Sequence, residues 1–232
     1  MDTEMRIAAD AAGGEDHAAQ RRLMVLGQIT PNGVNDPLLV AALREVPRET
    51  LVPPAYRPRA YADQPVPLGS GRVLLQPMVI ARLIQLLLPQ PGERALVLGA
   101  GPGYGALVLA RMGLAVTAIE SDPALCAVAA RAFAAAPEGA QPVLRPGDPA
   151  AGEPTGAPWR VILVEGAAAR LPESLTAQLG EGGRLAMIRA TDSPVGRAVL
   201  LRKAGGALGE QWVFEAQAPV LPGFAAEAGF RF

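Results

Sequence analysis

Apolar positions along the chain follow two rhythms, and the change comes near Pro91. Ahead of it, spacings of three and four residues predict helices. Residues 18 to about 26 suit an amphipathic helix. The stretch NDPLLVAALREVPRETLV predicts a second, with Asp36 as N-cap, Pro37 as the first helical residue and Pro47 interrupting near the end. Residues 76–88 predict a third, apolar at 79, 80, 83, 84, 87 and 88 as a buried helix face requires. Between the second and third, residues 53–73 are rich in Pro, Gly and Tyr and read as an ordered irregular segment with short strands. Loops of that length inside compact domains are usually either functional or disordered.

Beyond Pro91 strand and helix patterns alternate. Strands are predicted at 94–100, 114–120, within 141–148, at 159–166 and at 183–190; helices at 104–113, 172–180 and 122–136, the last capped by Asp122 with Pro123 first. Two further strand patterns flank Gly205-Gly206 and predict an antiparallel hairpin. Repeated strand–helix units imply an α/β fold of Rossmann-like type, a mostly parallel sheet ending in an antiparallel hairpin. Its ligands are expected beyond the carboxyl ends of the strands. The organisation expected is a flexible N-terminus (1–17), N-terminal helices with a pocket-closing segment (18–90) and the core (91–232), forming one compact unit.

Composition narrows the function classes. The 232 residues are half hydrophobic and 19% charged, which suits one folded domain. Formal net charge is −1 and the 21 basic residues are scattered, so the electrostatic footprint of a nucleic-acid binder is missing. A single cysteine, Cys126, excludes an internal disulfide, and a single histidine, His17, argues against a zinc site. The longest apolar run, near 78–89, is broken by Arg82 and Gln85 and is too short to span a bilayer. The acidic N-terminus does not read as a signal peptide. A cytoplasmic, metal-free monomer is the expectation, with neither nucleic acid nor membrane as partner.

Candidate chemistry concentrates in ALVLGAGPGYGALVLA, residues 95–110. Gly99, Gly101 and Gly103 form G-x-G-x-G at a strand end, with Tyr104 where a dinucleotide loop would place its last glycine; the frame Gly101, Gly103, Ala106 restores the dinucleotide form. These glycines suit either close approach of a ligand or merely a tight turn and helix packing. About 20 residues later Glu120 ends the second core strand, where a carboxylate can accept from two ribose hydroxyls; a helix-capping or surface role is the alternative. Together loop and acid favour a nucleoside-containing cofactor. A terminal hairpin after five parallel strands is, by analogy of fold, the architecture of S-adenosylmethionine methyltransferases, and it favours that cofactor over a nicotinamide.

From about Ala19 to the C-terminus the sequence resembles the protein-L-isoaspartate O-methyltransferase family. The segments ALREVPRETLVPPAY, AYADQPVPLGSGRVLLQPMVIARLIQLL, the glycine loop with Tyr104, then AIE, PGD and EGGRL follow in the family's order and spacing. The resemblance implies methyl transfer from S-adenosylmethionine, leaving S-adenosylhomocysteine, to the free α-carboxylate of isoaspartyl residues in damaged proteins or peptides. It implies cofactor contacts from Gly99, Ala100, Gly101, Gly103, Tyr104, Glu120 with Ser121, and Asp148 at the adenine amino group. Leu74, Gln76, Pro77 and Met78 are the implied substrate-binding positions.

Three positions depart from the family pattern. The acid expected two residues before the first loop glycine is Val97. The serine whose hydroxyl lies at the substrate carboxylate is Leu75, in Val73-Leu74-Leu75. The Thr-Ala-Ala-type stretch after the fourth strand is Glu165-Gly166-Ala167. A carboxylate is already ionised at pH 7 and can attack a sulfonium methyl directly, so alignment matters more than a general base. Against Leu75 that carboxylate loses water without a replacement hydrogen bond, which costs on the order of 1–3 kcal/mol. Glu165 either supplies the carboxylate that Val97 lacks, sits solvated at a strand end, or faces and repels the substrate. Tyr56, Tyr61 and Asp63 are candidates for the pocket wall. Two functions remain open: a carboxyl methyltransferase of the repair type, with the same or an altered substrate, and a relative that keeps the fold for binding or scaffolding.

Overall fold

A computed structural model describes residues 17–226; most of the predicted flexible N-terminus, 1–16, lies outside them. Residues 17–24 form α1, which runs on through a π-helical turn at Val25–Ile29. The second helix, α2 (Pro37–Glu45), is capped by Asp36, whose Oδ1 accepts from Leu39 N at 2.8 Å. It stops before Pro47, and a short 3-10 turn, Arg48–Leu51, follows. The irregular segment contains the antiparallel pair β1 (Val66–Gly69) and β2 (Arg72–Leu74).

The third helix, α3 (Pro77–Leu86), buries Val79, Ile80, Leu83 and Ile84 as the pattern predicts. Leu88 departs from it. It lies past the helix end with φ +44° and is exposed, because the chain turns out toward Pro91 to enter the sheet.

Seven strands form the sheet: β3 (Arg94–Leu98), β4 (Ala115–Glu120), β5 (Val143–Pro146), β6 (Trp159–Ala168), β7 (Leu179–Arg189), β8 (Gly196–Ala204) and β9 (Ala207–Ala216). Their order is β5-β4-β3-β6-β7-β8-β9, parallel from β5 to β7 and antiparallel for the last two. The chain winds outward from β3 in one direction and from β6 in the other. The crevice between β3 and β6 is therefore the switch point, where such sheets place ligands. Helices α4 (Tyr104–Arg111), α5 (Pro123–Ala134) and α6 (Glu173–Gln178) make the crossovers, and α5 takes its cap from Asp122 as expected.

One apolar cluster packs α1–α5 against one sheet face, and a second packs Trp159, Leu175, Leu185 and Phe224 on the other. After β9 the chain returns across the sheet. Ala167 N donates to Pro219 O and Leu221 N to Ala167 O, each at 2.9 Å, so residues 219–224 lie over the carboxyl end of β6. Among the described residues no helix is long and apolar enough to cross a membrane.

Candidate active site

Strand register brings the predicted groups to one level. Leu98 of β3 stands beside Ile119 of β4 and Val164 of β6, so the next residue on each strand, Gly99, Glu120 and Glu165, marks the same carboxyl edge. Glu120 is also paired with Pro146 of β5, and Gly147 N donates to Glu120 O at 2.9 Å, which brings Asp148 to that edge. Asp148 is exposed and caps Ala150 N at 2.9 Å.

Glu120 is fully buried, and its carboxylate is saturated with donors. Oε2 accepts from Gly101 N at 2.6 Å; Oε1 accepts from Ser121 N and Asp122 N at 2.8 and 2.9 Å. Arg72 of β2 completes the set, with Nη1 on Oε1 at 3.0 Å and Nη2 on Oε2 at 3.1 Å, and Nη2 also meets Gly99 O at 2.9 Å. A bidentate guanidinium thus holds the acid that the sequence reading assigns to ribose hydroxyls.

The glycines serve the tight turn and close packing weighed from sequence. Gly99, Gly101 and Gly103 all have positive φ, so a tight left-handed path is required there. They also admit close packing: a Cβ on Gly99 would stand 2.6 Å from Leu221 Cδ1, and one on Gly103 would collide with the Phe133 ring. Leu221 approaches Gly166 in the same way, so the tail roofs the crevice. A cleft of about 510 Å³ opens elsewhere, lined by Val46, Leu107, Arg111, Val128 and Arg131 among others, and no predicted site residue lines it.

Below the roof sits a buried polar group. Glu165 is 6% exposed; burial pushes its carboxyl up to about 8, with Arg72, the Gly105 backbone and Arg48 pulling against that shift. Tyr104 is buried and pushed up to about 12 for the same reason. Arg48, fully buried, donates from Nε to Ala60 O at 2.7 Å and from Nη2 to Leu75 O, while its Cζ lies 4.9 Å over the Tyr104 ring. Desolvation lowers its pKa.

The family model for protein-L-isoaspartate(D-aspartate) O-methyltransferase matches residues 20–205. Curated proteins of that activity are similar over most of the chain. One from Rhodopseudomonas palustris is 46% identical over 80% of this chain and 76% of its own length; one from Methylorubrum extorquens is 46% identical over 81% and 80%. This chain belongs to the protein-L-isoaspartate O-methyltransferase family. A solved protein-L-isoaspartate O-methyltransferase superposes with a TM-score of 0.75 at 25% identity, covering 88% of this chain and 67% of that one. A Plasmodium falciparum structure described as a putative member in complex with S-adenosyl-L-homocysteine has the same fold, with a TM-score of 0.73 at 20% identity over 89% of this chain and 98% of that one.

In this isoaspartate methyltransferase relative the substituted positions are interior. Val97, Ala100, Leu74 and Leu75 are buried in the apolar core, and Pro77 is buried at the start of α3. Gln76 and Met78 are half-buried, and Ser121 is exposed. Asp63 accepts from Met78 N at 3.1 Å, and the Tyr61 hydroxyl is taken by Glu49 and Arg21, so both brace the irregular segment. Tyr56 is stacked under Arg59.

Sequence reasoning missed three residues at this edge, Arg72, Arg48 and Leu221. Only Arg72 left a local signal, a charged residue directly after the Gly-Ser-Gly turn of a segment already suspected of function.

Proposed function

We propose that the chain is an S-adenosylmethionine-dependent carboxyl methyltransferase acting on the free carboxylate of L-isoaspartyl residues in damaged proteins, as a cytoplasmic monomer. The observation that carries the reading is Glu120, a buried carboxylate held by three backbone N–H groups at the switch point of the sheet, one of them from the glycine loop. Burying a carboxylate is costly unless it is paired, and three backbone donors hold it aimed before any ligand arrives. S-adenosylmethionine supplies a methyl group on a sulfonium, an electrophile that an ionised carboxylate attacks without a base.

The residues present fit such a cofactor. Glu120 would hold the ribose hydroxyls, Asp148 the adenine amino group, and the bare backbone of Gly99, Gly101 and Gly103 the thioether side; Glu165 would face the amino-acid end in place of Val97. Arg72 must first leave Glu120, and Leu221 must lift from Gly99. The substrate carboxylate would approach past Gln76 and Met78 at the head of α3. Leu75 offers it no hydroxyl.

A second reading, a relative retained for binding without catalysis, is favoured by the same Leu75 and by Arg72 on Glu120. Calorimetry with S-adenosylhomocysteine, followed by methylation of an isoaspartyl peptide, separates the two. Micromolar binding with turnover supports the enzyme; binding without turnover supports the second reading; no binding, or binding unaffected by Glu120→Ala, overturns the cofactor assignment.

A further inference from the structure

Among the described residues, seven buried side-chain polar atoms lack a hydrogen-bond partner, and four of them belong to residues linked along the site: Arg48 Nη1, Gln76 Oε1, Tyr104 Oη and Glu165 Oε1. Contacts and chain neighbours link these residues. Arg48 Nη2 bonds the carbonyl of Leu75, the residue before Gln76, and the guanidinium lies over the Tyr104 ring. Gly105 comes next in sequence, and only its missing Cβ leaves room for Glu165 Oε1. Buried polar atoms are nearly always paired, so four unpaired atoms on linked residues mark a site built for something.

Their chemistry specifies the occupant. Arg48 Nη1 and the Tyr104 hydroxyl donate, and one of them carries a full positive charge. Gln76 Oε1 and Glu165 Oε1 accept. Neither Arg48 nor Glu165 has an ion-pair partner among the described residues. The complement of a cationic donor pair beside an acidic acceptor pair is a carboxylate next to an ammonium group.

We propose that Arg48, Gln76, Tyr104 and Glu165 form a buried subsite for an α-amino-acid zwitterion, Arg48 and Tyr104 donating to its carboxylate, Gln76 and Glu165 accepting from its ammonium. This rests on the cofactor reading above, under which the occupant is the amino-acid end of the cofactor. Arg48 and Glu165 then replace the single acid lost at Val97 with charges of both signs. Burial keeps the Glu165 carboxyl largely protonated near neutral pH. An ammonium beside it favours the ionised form, so the pair completes itself on binding.

The test compares S-adenosylhomocysteine with 5′-methylthioadenosine, the same nucleoside thioether without the amino-acid end, by calorimetry on the full chain. Wild type is expected to prefer S-adenosylhomocysteine by tenfold or more. Arg48→Lys loses the planar fork and is expected to weaken S-adenosylhomocysteine about tenfold while leaving 5′-methylthioadenosine within twofold. Tyr104→Phe keeps the ring under Arg48 and removes only the hydroxyl; an S-adenosylhomocysteine-specific loss of about threefold or more is expected even where Arg48→Lys fails to fold. The proposal is overturned if wild type binds both ligands equally, or if the variants weaken both alike. Equal binding of both leaves the cofactor reading standing, whereas binding of neither removes both.

Discussion

The contact between Arg72 and Glu120 makes cofactor affinity an exchange reaction. Ribose hydroxyls reach Glu120 only when the guanidinium leaves, so the net strength of the pair is subtracted from the binding free energy. Two hydrogen bonds join the charges, at 3.0 and 3.1 Å, and a third ties Arg72 to Gly99 O. Both side chains are nearly inaccessible, at 5% and 0% exposure, so solvent screens the pair little. Ribose restores two neutral-to-charged bonds, which leaves the guanidinium's desolvated charge interaction as the difference. On the scale of hydrogen bonds to charged groups this is about 1.5–3 kcal/mol, or roughly tenfold to a hundredfold in Kd.

Arg72→Ala is therefore expected to bind S-adenosylhomocysteine at least tenfold more tightly than wild type in calorimetry. Its ligand-free form is expected to unfold at lower temperature, because removing one partner of a buried pair costs about 3–5 kcal/mol. That figure is an upper value here, since three backbone N–H groups still hold Glu120. Arg72→Lys, unable to span both oxygens, should fall between in both assays. A folded Arg72→Ala protein whose affinity is unchanged or weaker would refute the exchange and make Arg72 part of the cofactor's own support.

Other substitutions test neighbouring parts of the site. Glu165, facing Arg72, Arg48, Glu120 and Tyr104, holds its proton up to about pH 8 when folded and releases it near 4.5 when unfolded. The native state therefore binds the extra proton between those values, and stability falls as pH rises through them by up to about 1.4 kcal/mol per unit. Denaturant unfolding of Glu165→Gln should gain on wild type steadily from pH 5 to 8; a constant difference would mean that Glu165 titrates normally. Gly103→Ala places a side chain at φ +96° against the Phe133 ring and should cost about 2–4 kcal/mol in the same assay. Leu75→Ser should raise methylation of an isoaspartyl peptide about tenfold if the missing hydroxyl is the main deficit, at a stability cost of about 2–4 kcal/mol because Leu75 is 1% exposed. No gain in a folded, cofactor-binding variant would shift the deficit to Glu165 or to the closed crevice.

What was legible in the sequence is what local chemistry determines. Asp36-Pro37 and Asp122-Pro123 announced two helix starts, and both aspartates accept the expected backbone N–H. Glu120 was found because the interval from a glycine loop to the acid is set by one helix and one strand, both countable. Glu165 was seen but not its environment, although it ends an apolar run, WRVILVEG, whose strand is buried on both faces. Long-range pairings left no such trace. Arg72 meets Glu120 across 48 residues, and Arg48 meets Leu75 across 27. The tail is joined to β6 by an isolated bridge, Ala167 to Val220, too short to impose a strand pattern.

The same distinction bears on what the glycines can prove. Gly99, Gly103, Gly105 and Gly166 are each explained by a side chain of this chain pressing on them: Leu221, Phe133, Glu165 and Leu221 again. A scaffold with no ligand would need them equally, so the loop does not by itself argue for a ligand. Glu120 does. A buried ion pair is typically no more stabilising than apolar side chains of similar volume, so fold stability alone gives no reason to bury Glu120 opposite Arg72. Nor does it require three backbone N–H groups, one from the glycine loop, aimed at a carboxylate at the switch point. Both are needed if the carboxylate must be ready, charged and oriented for a nucleoside when Arg72 departs.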